Sequence, residues 1–158
     1  MSECCTVRKA NAPPVMACPV NRARSKRVDL LTVRSLVRQL PLGTRLTVYY
    51  FCEAPDCDVV YFPLDPGGPI FHRSDLLVRV GVKETEDPIP VCYCFGFTRK
   101  DIRDEIAETG RSTILARVKA EVQGDNCACE VKNPSGKCCL GTIARIAREV
   151  STASKPKS

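Results

Sequence analysis

Eleven cysteines and one histidine are the residues of this 158-residue chain best suited to chemistry. The cysteines fall in groups: Cys4-Cys5, Cys18 before Pro19, the pair Cys52 and Cys57, Cys92-Tyr93-Cys94, Cys127-Ala128-Cys129, and Cys138-Cys139. Clustered thiolates are ligands for zinc, for Cu(I) and for iron–sulfur clusters. An odd count leaves at least one thiol outside any disulfide scheme within the chain. Residues 1–9 carry no apolar core of a signal peptide, and no apolar run is long enough to span a bilayer. The expectation is a cytoplasmic protein. In that reducing compartment clustered cysteines bind metal more often than they form disulfides.

Spacing sorts the groups. Cys52-x4-Cys57 on a tight turn, with Cys18 at a distance, has the form of a structural zinc site with three thiolates. Asp56, Asp58, a cysteine of the N-terminal segment or water are the candidates for a fourth ligand. Cys52 and Cys57 as plain packed hydrophobes is the competing reading, and their place at a turn between aspartates argues against it. The later half offers Cys92, Cys94, Cys127, Cys129, Cys138 and Cys139, six thiols where a [2Fe-2S] cluster needs four, two per iron. A Cys-x-Cys loop before a helix supplies two thiolates at once, and the helix N-terminus favours their ionised form. By spacing alone, zinc on the same ligands stays open. Adjacent Cys4 and Cys5 suit capture of a soft ion, Cu(I) or Hg(II), against the alternative of incidental thiols on a solvent-exposed tail.

No catalytic constellation accompanies them. His72 has no second histidine and reads as a core or surface residue rather than a ligand or base. Asp101, Asp104 and Glu105 fall on a helix surface, and no Gly-rich phosphate loop is present. A redox or metal-binding protein is therefore expected rather than an enzyme. A metal-ion reductase is the enzymatic alternative, and it needs an electron-donor site that the sequence does not display.

The elements that must hold these thiols change character along the chain. Residues 1–17 read as a flexible arm broken by Pro13-Pro14. From 18 to 84 the pattern is β-rich. Leu46–Phe51 and Val59–Phe62 are β-branched and aromatic runs that form a hairpin around Cys52–Cys57. Ile70-Phe71 and Leu76–Val82 add strands, and Thr32–Leu40 has helical spacing. Residues 84–90 read as a linker. From 85 to 150 the period is helical: Thr98 and Asp101 make a capping box closed by Gly110, Ser112 caps a second helix, and a third runs over Cys139–Val150. The tail 151–158 is polar and expected to be disordered. The fold class is α+β, a small β-rich zinc-binding lobe followed by a small helical cluster-binding lobe. With no Trp and nine Phe and Tyr, lobes this small need metal staples.

Charge offers a second kind of function. The net charge is +6, and Arg22, Arg24, Lys26, Arg27, Arg34, Arg38 and Arg45 share one stretch with only Asp29 among them. A zinc-stabilised interaction or nucleic-acid module would use such a patch. No aromatic residues interleave it, so a solvated face is the better reading.

Taken in order, Cys18-Pro19, Phe51-Cys52, Cys57-x-Val59-Val60-Tyr61-Phe62, Arg79–Glu84, Pro90-Val91-Cys92-Tyr93-Cys94 and Asn133-Pro134-Ser135-Gly136-x-Cys138-Cys139 resemble the N-terminal portion of the CopZ copper chaperones, over about Cys18 to Val150. The resemblance implies a zinc-bearing lobe joined to a [2Fe-2S] lobe similar to bacterioferritin-associated ferredoxin. It implies Cys92, Cys94, Cys129 and Cys139 as cluster ligands and Cys18, Cys52 and Cys57 as zinc ligands. It further implies electron transfer in the handling of copper or another heavy metal such as mercury. Where the family pattern has Cys-Pro-x-Cys, this chain has Asn21, and the family's C-terminal copper-binding domain with its Cys-x-x-Cys loop has no counterpart here.

Overall fold

The computed structural model describes residues 12–41, 47–65 and 67–154. Five short strands make one antiparallel sheet: β1 (Val15–Ala17), β2 (Arg24–Val28), β3 (Tyr49–Phe51), β4 (Val59–Pro63) and β5 (Phe71–His72), lying side by side in chain order. Helix α1 (Leu30–Leu36) lies between β2 and β3 in sequence. The sheet is covered on both faces. Tyr50 stacks on Phe62 among Cys18, Cys52 and Cys57, whereas Tyr49, Phe51, Val60 and Tyr61 pack with Val33 of α1 and with Val37, the residue after the helix. A register shift between Val59 and Tyr61 lets Val60 and Tyr61 join the same cluster despite being adjacent.

The helical half begins with a two-stranded hairpin, β6 (Pro90–Cys92) and β7 (Phe97–Thr98), and continues as α2 (Arg99–Thr109), α3 (Ile114–Gln123), the single turn α4 (Cys129–Lys132) and α5 (Leu140–Ser154). Its core is Ile102 and Ile106 of α2, Ile114 and Val118 of α3, and Ile143, Ile146 and Val150 of α5, with Cys92, Cys129 and Cys139 inside the same cluster. The fold is α+β. α2 starts and stops as its local chemistry requires: Thr98 and Asp101 exchange side-chain to backbone hydrogen bonds, and Gly110 at φ +85° ends the helix.

Several expectations are corrected. The arm expected over 1–17 is structured from Ala12 onward, because proline carbonyls still accept hydrogen bonds: Pro14 O from Arg27 N at 3.1 Å and Pro13 O from Tyr50 OH at 2.8 Å. Helix α1 ends four residues before Leu40, with Val37 extended and bridged to Leu76. Leu76–Val82 forms no strand of the sheet: Leu77 N donates to Leu36 O, and Gly81–Lys83 is a 3-10 turn. Only Tyr49–Phe51 of the expected strand from Leu46 pairs in the sheet, and Leu46 itself lies outside the described residues. α5 runs through the residues 151–154 expected to be tail. Cys4, Cys5 and Arg45 lie outside the described residues.

The two halves meet at the segment 130–136. Thr32 Oγ1 of α1 donates to Glu130 O at 2.6 Å, and Tyr61 OH of β4 donates to Pro134 O at 2.5 Å. Gly136, at φ +70°, passes so close that a Cβ there would sit 2.7 Å from Thr32 Oγ1. Tyr93 OH accepts from Gly81 N and donates to Arg79 O, tying the Cys-x-Cys loop to the end of the β-rich half.

Candidate metal centres

Cys18 follows β1, while Cys52 and Cys57 stand at the two ends of the β3–β4 turn. Cys52 N donates to Val60 O and Cys57 N to Ala54 O, which closes the knuckle. The three Sγ atoms lie within 4.8 Å of one another, and all three residues are buried. Buried thiols this close either share protons or a cation. Burial raises the Cys18 thiol, but the backbone N–H groups of Asn21 and Val20 and the side chains of Cys52 and Cys57 outweigh it and lower its pKa. Cys57 is raised, first by burial. The donor set fits zinc, which takes soft thiolates in a tetrahedron.

The fourth position is not aspartate on this geometry. Asp58 Oδ1 is held by Arg73 Nε at 3.1 Å, and Asp56 is exposed. Asn21 is nearer: its Nδ2 and Oδ1 lie 3.9 and 4.0 Å from Cys52 Sγ. Two ligands of one tetrahedral zinc stand roughly 3.5 Å apart, given metal–sulfur and metal–oxygen distances of about 2.3 and 2.0 Å.

A second group of thiols converges in the helical half. Cys94 Sγ lies 3.4 Å from Cys129 Sγ and accepts from Ala128 N at 3.2 Å. Cys92 and Cys139 form the other close pair. The hydrogen bond with Cys139 is the main reason that the Cys92 pKa falls to about 6, and the same contact with burial drives Cys139 upward. Burial, then the Cys94 contact, raises Cys129 to about 12. The four sulfurs come from β6, the loop after it, the start of α4 and the residue before α5. Cys127 is half-buried, and Cys138 is exposed on a groove of 480 Å³ that Lys137, Arg145 and Glu149 also line.

Residues 15–77, which include the buried trio, match the family described as the zinc-binding domain of CopZ. The copper chaperone CopZ of Archaeoglobus fulgidus is 35% identical over 132 residues, 84% of this chain and 62% of that protein. The X-ray structure of the A. fulgidus CopZ N-terminal domain superimposes with a TM-score of 0.66 at 36% identity, covering 83% of this chain and 97% of that domain. The chain belongs to the CopZ N-terminal-domain family. It spans 62% of the length of the curated CopZ it matches. As a CopZ homologue it carries a zinc-binding domain whose cysteine cluster fits Zn2+.

The remaining candidates sort by position. His72, half-exposed, precedes a short 3-10 turn, with Nδ1 3.7 Å from Asp75 Oδ2, and takes no part in either thiol group. Asp101 caps α2, Asp104 pairs with Lys100 at 2.6 Å, and Glu105 accepts from Thr113 N. Arg22, Arg24, Lys26, Arg27, Arg34 and Arg38 are all exposed. No helix among the described residues is long and apolar enough to cross a membrane. Sequence reasoning missed Lys83, which is 2% exposed beside the zinc knuckle. Its only sequence signal is membership of the Arg79–Glu84 segment that carries the CopZ resemblance.

Proposed function

We propose that this chain is an iron–sulfur and zinc protein that transfers electrons in the handling of copper or another soft metal such as mercury. The zinc on Cys18, Cys52 and Cys57, with Asn21 Oδ1 as the fourth ligand, staples the β-rich lobe. A [2Fe-2S] cluster on Cys92, Cys94, Cys129 and Cys139 supplies one-electron chemistry. The observation that carries the cluster reading is the pairing of those sulfurs, Cys94 with Cys129 and Cys92 with Cys139. Two pairs of buried or half-buried thiols suit two irons with two thiolates each. Cys127 and Cys138 are left out of both pairs, as the CopZ resemblance implies.

The protein's contribution to such a cluster is position and charge environment. The Ala128 N–H aimed at Cys94 Sγ stabilises negative charge on that sulfur. The helices pack Cys92, Cys129 and Cys139 into an apolar core that keeps water away. The soft-metal role rests on the relative named as a copper chaperone. Cys4-Cys5 is proposed as the capture pair, so partners are soft ions, Cu or Hg, and a metal-handling or redox protein.

The test is anaerobic. Protein reduced stoichiometrically is mixed with Cu(II) and a Cu(I)-specific chelator while the paramagnetic signal of the reduced cluster is followed. The reading expects that signal to disappear in step with Cu(I) formation, and Cys92→Ser protein to lack this phase. Cu(I) formed at the same rate without loss of the cluster signal would contradict electron transfer through the cluster. A zinc-stabilised module without redox function would instead give colourless protein.

A further inference from the structure

Lys83 is the one lysine buried among the described residues, at 2% exposure, and it lies outside both thiol groups in sequence. Its backbone is fixed in a 3-10 turn, with Lys83 N donating to Val80 O and Lys83 O accepting from Arg73 Nη1 at 3.1 Å. Its Nζ donates to Ala54 O at 2.7 Å and to Cys57 O at 2.8 Å. Both carbonyls belong to the Cys52–Cys57 turn. The ammonium is thus clasped to the knuckle from the side of the following segment, 26 residues away along the chain.

A buried ammonium is costly unless a negative charge faces it. Among the described residues no carboxylate pairs with Lys83. Asp58 is taken by Arg73 and Glu84 by Arg79. Burial lowers the Lys83 pKa, and the groups that work against this are the sulfurs of Cys52, Cys57 and Cys18, two of them on the turn whose carbonyls hold Nζ. Arg73 is the nearby positive charge that opposes them, itself facing Asp58. Zinc with three thiolates carries one net negative charge, and one ammonium cancels it.

We propose that Lys83 is the positioning residue and fixed counter-charge of the zinc centre, built to balance three thiolates and a neutral fourth ligand. A carboxylate in the fourth position would leave the buried centre with an uncompensated negative charge, whereas the Asn21 amide or a water leaves it neutral. The arrangement explains why a lysine is buried here and why neither Asp56 nor Asp58 joins the thiol group. It also makes the Gly81–Lys83 turn part of the metal centre. The inference rests on zinc being held by Cys18, Cys52 and Cys57.

The test uses the full chain. Lys83→Gln keeps a hydrogen-bond donor and removes the charge, and Lys83→Arg keeps the charge. Zinc affinity is measured by competition with a chromophoric chelator, and the stability of zinc-loaded and zinc-free forms by thermal melting. Lys83→Gln is expected to bind zinc at least tenfold more weakly, with Lys83→Arg within about threefold of the native chain. The zinc-free Lys83→Gln chain should melt no lower than the zinc-free native chain, since its thiols no longer offer the charge that Lys83 balances. Native affinity in Lys83→Gln, or equal loss of stability with and without zinc, would overturn the role as counter-charge. If Lys83→Gln does not fold, a folded Lys83→Arg that has lost zinc would overturn it, and one that retains zinc supports it. A native chain that takes up no zinc would instead sink the zinc reading itself.

Discussion

At the scale of single residues, the nine described thiols differ in what each faces. Cys92, Cys94, Cys129 and Cys139 meet in pairs, while Cys138 faces solvent and Cys127 is half-buried. Serine at any of the four paired positions is expected to abolish the visible absorption of anaerobically purified protein, whereas Cys127→Ser and Cys138→Ser should leave the spectrum intact. Absorption spectra of the six variants check this directly. Spacing in the sequence was enough to find the six thiols but not to choose among them. The choice depends on Cys94 and Cys129 meeting across a separation of 35 residues, which no local pattern encodes. The knuckle was more legible, because Cys52 and Cys57 sit on one turn. The neighbour proposed for its fourth position was not, since the Asn21 side chain comes within 4.0 Å of Cys52 Sγ only once the chain reverses after β1. Cys57→Ala should release the zinc, seen as loss of zinc from the purified chain by elemental analysis.

At the scale of elements, the clearest prediction concerns the segment that links the halves. Tyr61 OH is its donor to Pro134 O, and both residues are buried. Tyr61→Phe removes the hydroxyl and leaves that carbonyl without this partner, so chemical denaturation should show a loss of about 1–3 kcal/mol. Gly136→Ala should cost at least as much, because it combines a positive φ with a Cβ 2.7 Å from Thr32 Oγ1. By contrast Thr98→Ala removes only an exposed cap, for a loss of about 1 kcal/mol. Helix α2 was readable in advance because Thr98, Asp101 and Gly110 are local signals. The turn α4 was not, being four residues long, and the end of α5 was misjudged because polar Ser151 and Thr152 still suit a helix when no Gly or Pro intervenes. Pro13-Pro14 misled in the same manner: proline lacks a donor, yet its carbonyl serves the edge of a sheet.

At the scale of the whole molecule, neither half has a large core. The β-rich half depends on the thiol knuckle at one face of its sheet, and the helical half encloses Cys92, Cys129 and Cys139 among Ile102, Ile114, Val118 and Ile143. Both cores are therefore built around thiols that metals would cross-link, and the two are joined through residues 130–136. Chelation of zinc should lower the melting temperature and, through Tyr61 and Thr32, speed loss of the visible chromophore from the other half. Parallel melting curves and bleaching rates with and without chelator measure that coupling. One chain is proposed to hold two different centres. The most direct measurement is the metal content and colour of protein expressed with ample iron and purified without oxygen. A chain with both centres should be brown-red and hold two irons and one zinc; a colourless protein containing zinc alone would rule out the cluster.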